Sequence, residues 1–501
     1  MLWYPAVGRN ARFAVRPLLI GMLDATVTRV LAKLFTWPVD LTALSTPASV
    51  RWWFAILAVV TAVPIAAVAC FSDPSGAEDD EMPMTINRIA YIDTDGQLVT
   101  SNPDGSGRNL LTAGAVARSG GILAQPQRRE MLYSWPVWSP DGSRIAVSLL
   151  QGDSPSEAQV SLHTLESSTG VGGAAFVNEA PLTIAEGTPH YVQWSPDGQK
   201  LGVTAATPEG LTLFVVDATP PPRSGSANPP LALQRGAPLY FDWSPDSASL
   251  AVHSNEDVLI VRLDYETGQF SAQQLARSRS FRTPAWSPDG IRLAWSAPGG
   301  DSEALWVGQP DQPDDAALRL AEVEGACAFL WSSDGAAIAV ADRQIAGSPA
   351  YRRLRLLAAD GSAERTIKED DWVLGFFWEP NGDRLAWVAL NPEERTMEWR
   401  IAEGLVADSA GDEEDGALAG FRFSPSGETF LMLAFFDQYA RSHSPWAPDG
   451  SGLVVAGTQQ YLFERRNGSS GGGSRVYVVE TGENGQLRDI ANGSMAVWST
   501  R

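Results

Sequence analysis

One short phrase recurs at intervals of roughly a sheet's worth of chain. Trp138-Ser139-Pro140-Asp141-Gly142 returns as residues 194–198 and 286–290, and with one change each at 243–247 and 331–335. Looser copies stand at Trp378-Glu379-Pro380-Asn381-Gly382 and Trp446-Ala447-Pro448-Asp449-Gly450, and the chain closes on Val497-Trp498-Ser499. Between Trp138 and Trp378 the steps are 56, 49, 43, 45 and 47 residues. A period of this size marks a repeat architecture, and four short strands per repeat fit it.

Each copy lies between two strand-like runs, as Tyr191-Val192-Gln193-Trp194 and Leu201-Gly202-Val203-Thr204 lie on either side of their turn. Pro presets φ at the first central turn position, Asp bonds nearby backbone N–H groups, and Gly takes the positive φ. The Trp ahead of the turn suits packing between neighbouring repeats. A calcium ladder built on these Asp residues is disfavoured, because one carboxylate per turn supplies too few oxygens. After Trp194 two further strands follow, at 211–216 and 231–233, and after Trp286 at 304–307 and 318–320. The exported part begins headless: 88–92, 97–100 and 109–112 read as the later three strands of a repeat whose first strand is 495–499. Pairing of the two ends would close the array into a ring and hide its sheet edges. Counting first strands at each Trp gives eight repeats, with seven the alternative. The 68-residue gap from Trp378 to Trp446 holds a weak copy, Phe423-Ser424-Pro425-Ser426-Gly427, read as the end of an outer strand followed by an insertion.

These repeats resemble the TolB-like, WD40-like β-propeller family, also seen in the propellers of tricorn-type and prolyl-oligopeptidase-type peptidases. The resemblance covers residues 86–501. It implies an all-β fold, a single propeller of four-stranded blades, and a binding platform. The chain departs from TolB, which carries an α/β domain before its propeller. It departs from the peptidases in having neither a Gly-x-Ser-x-Gly elbow nor chain left to build their hydrolase domain. No catalytic residue is carried over, because a fold does not fix an activity.

The leader reads differently. Residues 52–71 run twenty positions without a charge, enough to cross a bilayer as a helix, with Trp52 and Trp53 at a headgroup boundary. Residues 1–71 hold six Lys/Arg against Asp24 and Asp40, a net +4, while Asp73, Glu78, Asp79, Asp80 and Glu81 follow the apolar run. Positive-inside retention then places residues 1–51 in the cytoplasm, 52–71 across the cell membrane, 72–85 as an acidic linker and the propeller outside. Ala67-Val68-Ala69-Cys70 also resembles a poor lipobox, giving a lipoprotein anchored at Cys70 as the alternative, though the leader is long for either signal-peptide reading. Residues 17–36 have apolar spacing compatible with an amphipathic helix on the inner leaflet, and equally with a solvated leader.

Removing the leader from the totals of 37 basic and 59 acidic residues leaves 31 and 57 over 72–501, a net −26. That balance argues against nucleic acid, which is held by Lys/Arg on phosphates, and suits a solvated surface or a cationic partner. Cys70 and Cys327 cannot bridge one another, and Cys327 reads as a small core residue. His163, His190, His253 and His443 show no metal-ligand spacing, and no phosphate or dinucleotide loop is present, so neither a metal nor a cofactor is expected.

Propellers usually bind at the channel mouth, towards which the first-strand starts should point. Those positions include His190, Tyr191, Tyr240, Arg282 and His443, a lining suited to a small polar ligand or a peptide end. Residues 435–443 break the repeat just before Trp446. Their Asp437, Tyr439 and Arg441 suggest either an Asp437–Arg441 ion pair pinning a loop or a ligand-contacting lid. Two functions follow. One is a membrane-anchored extracytoplasmic scaffold for an envelope protein or small polar ligand. The other is a hydrolase or lyase at the channel mouth with His190 or His443 as base. No carboxylate pair, metal set or nucleophile–base pair can be assembled for the second.

Overall fold

The computed structural model describes residues 87–500 apart from 113–129, 153–158, 168–187, 219–228, 280–281, 313–316, 381, 383, 392, 394–395, 403–415, 460–472 and 483–484. The leader, the apolar run at 52–71 and the linker expectations therefore lie outside the described residues. Among the described residues no helix is long and apolar enough to cross a membrane.

The described chain is all-β but for one helical segment; its strands gather into three four-stranded and one three-stranded antiparallel sheets, and the other fourteen are linked into one continuous sheet. One sheet holds β4 (Glu130–Trp138), β5 (Arg144–Gly152) and β6 (Gln159–Glu166). The next is four-stranded: β7 (Thr188–Trp194), β8 (Lys200–Thr207), β9 (Gly210–Asp217) and β10 (Leu231–Arg235). So are β11 (Leu239–Trp243), β12 (Ser249–Ser254), β13 (Asp257–Asp264) and β14 (Gln269–Arg277), and β15 (Ala285–Trp286), β16 (Leu293–Pro298), β17 (Glu303–Gly308) and β18 (Leu318–Val323). Strands β19 (Ala328–Trp331), β20 (Ala337–Gln344), β21 (Tyr351–Ala358) and β22 (Glu364–Lys368) repeat the pattern. So do β23 (Val373–Trp378), β24 (Leu385–Asn391), β25 (Thr396–Ala402) and β26 (Gly416–Pro425). Then come β27 (Gly452–Gln459) and β28 (Arg475–Glu480), with Trp446 bridging Leu453. Such sheets, each entered through its Trp strand, are consistent with a β-propeller.

The last strand, β29 (Leu487–Trp498), joins two groups of strands. Its first half pairs with β28, as in Val479↔Leu487. Its second half pairs with β1 (Ile89–Asp93), Ile89 opposite Trp498 and Ala90 opposite Val497. Strands β2 (Leu98–Ser101) and β3 (Asn109–Leu110) continue outward from β1. The two ends of the described chain thus share one sheet.

The repeated phrase holds this arrangement together through contacts that its residue types explain. The Trp194 indole donates to Val137 O at 2.9 Å, Trp331 to Ala285 O at 3.0 Å, Trp378 to Leu330 O at 3.1 Å and Trp446 to Phe377 O at 2.9 Å. In each case the acceptor is the residue just before the preceding sheet's own Trp, so each ring is both an apolar wedge and a polar tie between sheets. Within a turn, the Ser287 hydroxyl donates to Asp289 and accepts the Arg292 N–H at 2.9 Å, while Asp289 accepts the Ile291 N–H at 3.0 Å. Residues 139–144, 195–200, 244–249 and 332–337 repeat this geometry. The Asp residues are turn builders, occupied by local donors.

Six positions after the Trp, a basic residue reaches the next sheet. Arg144 lies 4.9 Å from the Trp194 ring centroid and donates to Gly198 O. Arg292 does the same to Trp331 and Gly335, and Arg384 to Trp446 and Gly450. The largest apolar cluster draws on most of the sheets, from Ala90 and Leu98 to Trp446 and Val497, while the β15–β18 residues lie in separate clusters. Cys327 is fully buried in a neighbouring apolar cluster, and burial pushes its thiol up to about 12.

Candidate functional site

The segment that breaks the repeat is helical. Strand β26 ends at Pro425, and Ser426 caps helix α1 (Gly427–Ala434), its hydroxyl accepting the Thr429 N–H at 3.1 Å. A short second helix, α2 (Phe436–Tyr439), follows at once. The weak Trp-phrase copy at 423–427 is thus a strand end and a helix cap. On α1, Phe430, Met432 and Leu433 are buried, packed towards β23, β26, β27 and β29.

Helix α2 meets the starts of successive first strands. Phe436 packs on Phe376, ring centroids 4.7 Å apart, and edge-on to Tyr351. The Tyr191 hydroxyl donates to Gln438 O at 3.0 Å. The Gln438 side-chain amide donates to Phe241 O at 3.0 Å and accepts Phe241 N–H at 3.3 Å. Asp437 takes the Thr283 N–H and hydroxyl at 3.4 Å each. Tyr439 stacks on Trp135 at 4.9 Å and 29°. One short element thus touches residues at or just before the first strands of five sheets. The two helices form a plug against the inner strands of these sheets.

The plug explains the contacts it makes. A first strand has one edge with no neighbouring strand, and Gln438 supplies to Phe241 the donor and acceptor that a strand would have given. In β4 the pairing register shifts between Ser134 and Val137, and Trp135 adopts φ +56°, left-handed backbone rarely tolerated by a side chain of its size. The bulge turns its indole onto Tyr439, with His443 edge-on at 5.9 Å.

The structure gathers most of the eight candidates here and leaves most of them enclosed. Tyr191, Asp437, Tyr439 and His443 are buried, Tyr240, Arg282 and Arg441 are half-buried, and His190 alone among the eight is exposed. Asp437 and Arg441 do not pin each other. Arg441 instead pairs with Asp242 at 3.3 Å, and Asp242 also accepts Trp286 N–H at 3.0 Å and the Gln193 amide at 3.3 Å. Burial raises the pKa of Asp242 against the pull of Arg441, and raises that of Asp437 against the pull of Arg282. Burial likewise raises the phenols of Tyr191, Tyr240 and Tyr439. His443, 2% exposed, sits 2.7 Å from the Ser442 hydroxyl through Nδ1, and burial pushes its imidazole down to about 3. A neutral, enclosed imidazole of this kind does not reach a substrate proton. Among the described residues no group of His, Cys, Asp and Glu is placed to hold a metal ion.

Sequence reasoning missed Trp135, Gln193, Asp242 and Gln438. Trp135 carried a signal, since it stands three residues before Trp138 just as Tyr191 stands before Trp194. Gln438 carried none, because its partner is a backbone edge nearly two hundred residues away in the chain.

No protein-family model matches the chain, and no curated protein sequence does. Among solved structures it is similar to oligogalacturonate lyase from Vibrio parahaemolyticus, at 12% identity and a TM-score of 0.41, over 72% of this chain and 85% of the lyase. It is similar to TolB from Acinetobacter baumannii at 14% identity and a TM-score of 0.34, over 74% of this chain and 82% of that one. The β-propeller domain of Myceliophteria thermophila Cps50 (Swd1) aligns at 14% identity and a TM-score of 0.39, over 62% of this chain and 89% of the domain. These are likenesses of fold and carry nothing about activity.

Proposed function

We propose that this chain is an eight-bladed propeller, tethered to the cell membrane through residues 52–71 and held outside the cytoplasm, where it serves as a protein-binding scaffold. The observation that carries the scaffold role is the plug. Helices α1 and α2 fill the channel mouth where a propeller would otherwise take a small ligand, and they spend Tyr191, Asp437, Tyr439 and His443 on internal contacts. Binding then falls to the outer loops and blade faces, the surfaces a protein partner uses. Eight blades are supported by the first strands that end at or beside Trp138, Trp194, Trp243, Trp286, Trp331, Trp378, Trp446 and Trp498. The anchor rests on the uncharged run and the basic-to-acidic change across it. Of the two bases that the channel-mouth enzyme reading offers, His443 is enclosed and only His190 is exposed.

Two experiments test this. Protease added to intact cells should digest the propeller, and a protected propeller contradicts the topology. Affinity capture with the full chain from envelope extract, read by mass spectrometry, should retain a defined protein. Recovery no better than a charge-matched control rules the scaffold out.

A further inference from the structure

The end of the propeller opposite the plug carries an unusual concentration of exposed apolar side chains. Among the described residues the exposed large hydrophobics are Tyr265, Phe270, Ile291, Leu318 and Leu431, and the first four belong to two adjacent sheets, β11–β14 and β15–β18. All four stand at or next to turns that follow a first or third strand, and strand alternation puts those turns at one end. Ile291 is the most exposed, at 56%. Direct contacts join the turns that carry these side chains. The Tyr265 hydroxyl donates to Ser247 O at 2.7 Å, Arg262 reaches across to Asp311, and Gly290, beside Ile291, lies against Pro245 of the preceding turn. A side chain on Gly361 would meet Leu318, so the patch runs on to the β21–β22 turn.

Carboxylates are interleaved with these side chains; Arg292 draws on Asp289 and Asp360, while only hydrogen bonds from turn donors and hydroxyls lower Asp246 and Asp264. Asp246, Asp264, Asp289 and Asp360 accept bonds from turn N–H groups and from Ser or Thr hydroxyls. Those donors hold all four below the usual carboxylate range. Tyr265 registers the field: burial first, then Asp197 and Asp246, push its phenol up to about 12. Of the nearby cations, Lys200 pairs with Asp217 and lies 5.3 Å from the Tyr265 ring centroid, Arg262 pairs with Asp311 and Arg319 with Glu322, while Arg292 is held on Trp331 and Gly335. Exposed apolar anchors among carboxylates that outnumber the cations acting on them repel phosphate-bearing surfaces and attract cations.

We propose that this end of the β11–β14 and β15–β18 sheets is the scaffold's docking surface, and that its occupant is a basic polypeptide segment with apolar side chains between its Lys and Arg residues. This rests on the scaffold reading and adds to it the location and the chemistry of the partner. The apolar anchors are spread over two sheets, which one chain segment can span and a small cation cannot. Its charges would meet the turn carboxylates, and its apolar side chains would cover Ile291 and Leu318.

The test uses the full chain in detergent micelles and a fluorescent peptide alternating Lys and Leu, with binding read by anisotropy against protein-free micelles. Binding is expected, weakening as ionic strength rises. An equally charged Lys/Ser peptide should bind about tenfold more weakly, and Ile291→Ser with Leu318→Ser should cost about tenfold or more. Leu431→Ser, at the plug end, should change nothing. A Lys/Ser or Glu/Leu peptide that binds as well as Lys/Leu overturns the proposal, as does a double variant that binds like the wild type. Capture from envelope extract separates the two readings. A partner held equally by wild type and double variant removes the patch and leaves the scaffold, whereas a wild-type chain that retains nothing removes both.

Discussion

At the scale of the residue, the repeated phrase resolves into separate jobs. In Trp-Ser-Pro-Asp-Gly the Ser closes the turn from inside, and the Gly takes φ near +70° at 142, 198, 290 and 335. The exception is instructive. Ser247 stands where the other copies have Gly, at φ +62°, and its hydroxyl accepts the Asp197 N–H of the preceding turn at 3.0 Å. A tie between sheets offsets part of the cost of left-handed backbone there. Arg144 makes a comparable tie, so Arg144→Ala should lower stability by about 1–2 kcal/mol, read as a fall in urea midpoint. His443 predicts a pH dependence. Its folded pKa lies near 3 against the ordinary 6.5, so between those values the unfolded chain binds more protons. That contribution is complete above the ordinary pKa and is lost as pH falls towards 3. Asp242 and Asp437, whose pKa values are raised, act with the opposite sign, their ionisation costing stability as pH rises. His443→Phe should therefore narrow the difference between urea midpoints at about pH 4.5 and about pH 7.5. An unchanged difference would place the histidine in a wetter setting than its 2% exposure implies.

At the scale of the element, the informative piece is the helix pair. Sequence periodicity flagged residues 435–443 as foreign to the repeat, but a lid and a plug have the same composition. What separates them is burial. Phe430, Leu433, Phe436 and Tyr439 all lie within the main apolar cluster, and truncating one such side chain costs about 3–5 kcal/mol. Phe436→Ala should thus destabilise the whole propeller rather than free a loop, and the unfolding transition should stay single. Gln438→Ala removes both partners of Phe241's backbone and should cost about 2–4 kcal/mol, well above the ~1 kcal/mol expected for losing the Ser426 cap. Differential scanning calorimetry of the three variants measures that order. A lid would give near-normal midpoints in all of them.

At the scale of the whole molecule, stability depends on the meeting of the two ends of the described chain. Trp498 pairs with Ile89 in the sheet, and the Trp138 indole donates to Val497 O at 3.4 Å, so the β29 end supplies both a strand and an inter-sheet acceptor. Deleting residues 495–501 would expose β1 as an unpaired edge and remove one wall from the Trp138 packing. The expected result is loss of cooperative thermal unfolding and a tendency to associate through that edge, measurable by circular dichroism and light scattering. A shortened chain that melts like the full one would mean the ring does not need its closing strand.

The sequence alone determined the repeat, its turn chemistry, the all-β class and the strand order within each unit, because period-two apolar patterning and Pro/Asp/Gly turns are local physics. It also singled out the one stretch that does not belong. Only the tertiary structure decided what that stretch does, which polar residues remain accessible and where the apolar surface lies. Tyr191 and Gln438, or Asp242 and Arg441, are far apart in the chain, and nothing in either residue's neighbours encodes the other. Their meeting follows from closing the sheets about an axis, which brings first-strand edges together and leaves unpaired backbone for a helix to satisfy. Ile291 and Leu318 stay exposed for the same reason, since the geometry that buries one end of each sheet presents the turns of the other end to solvent.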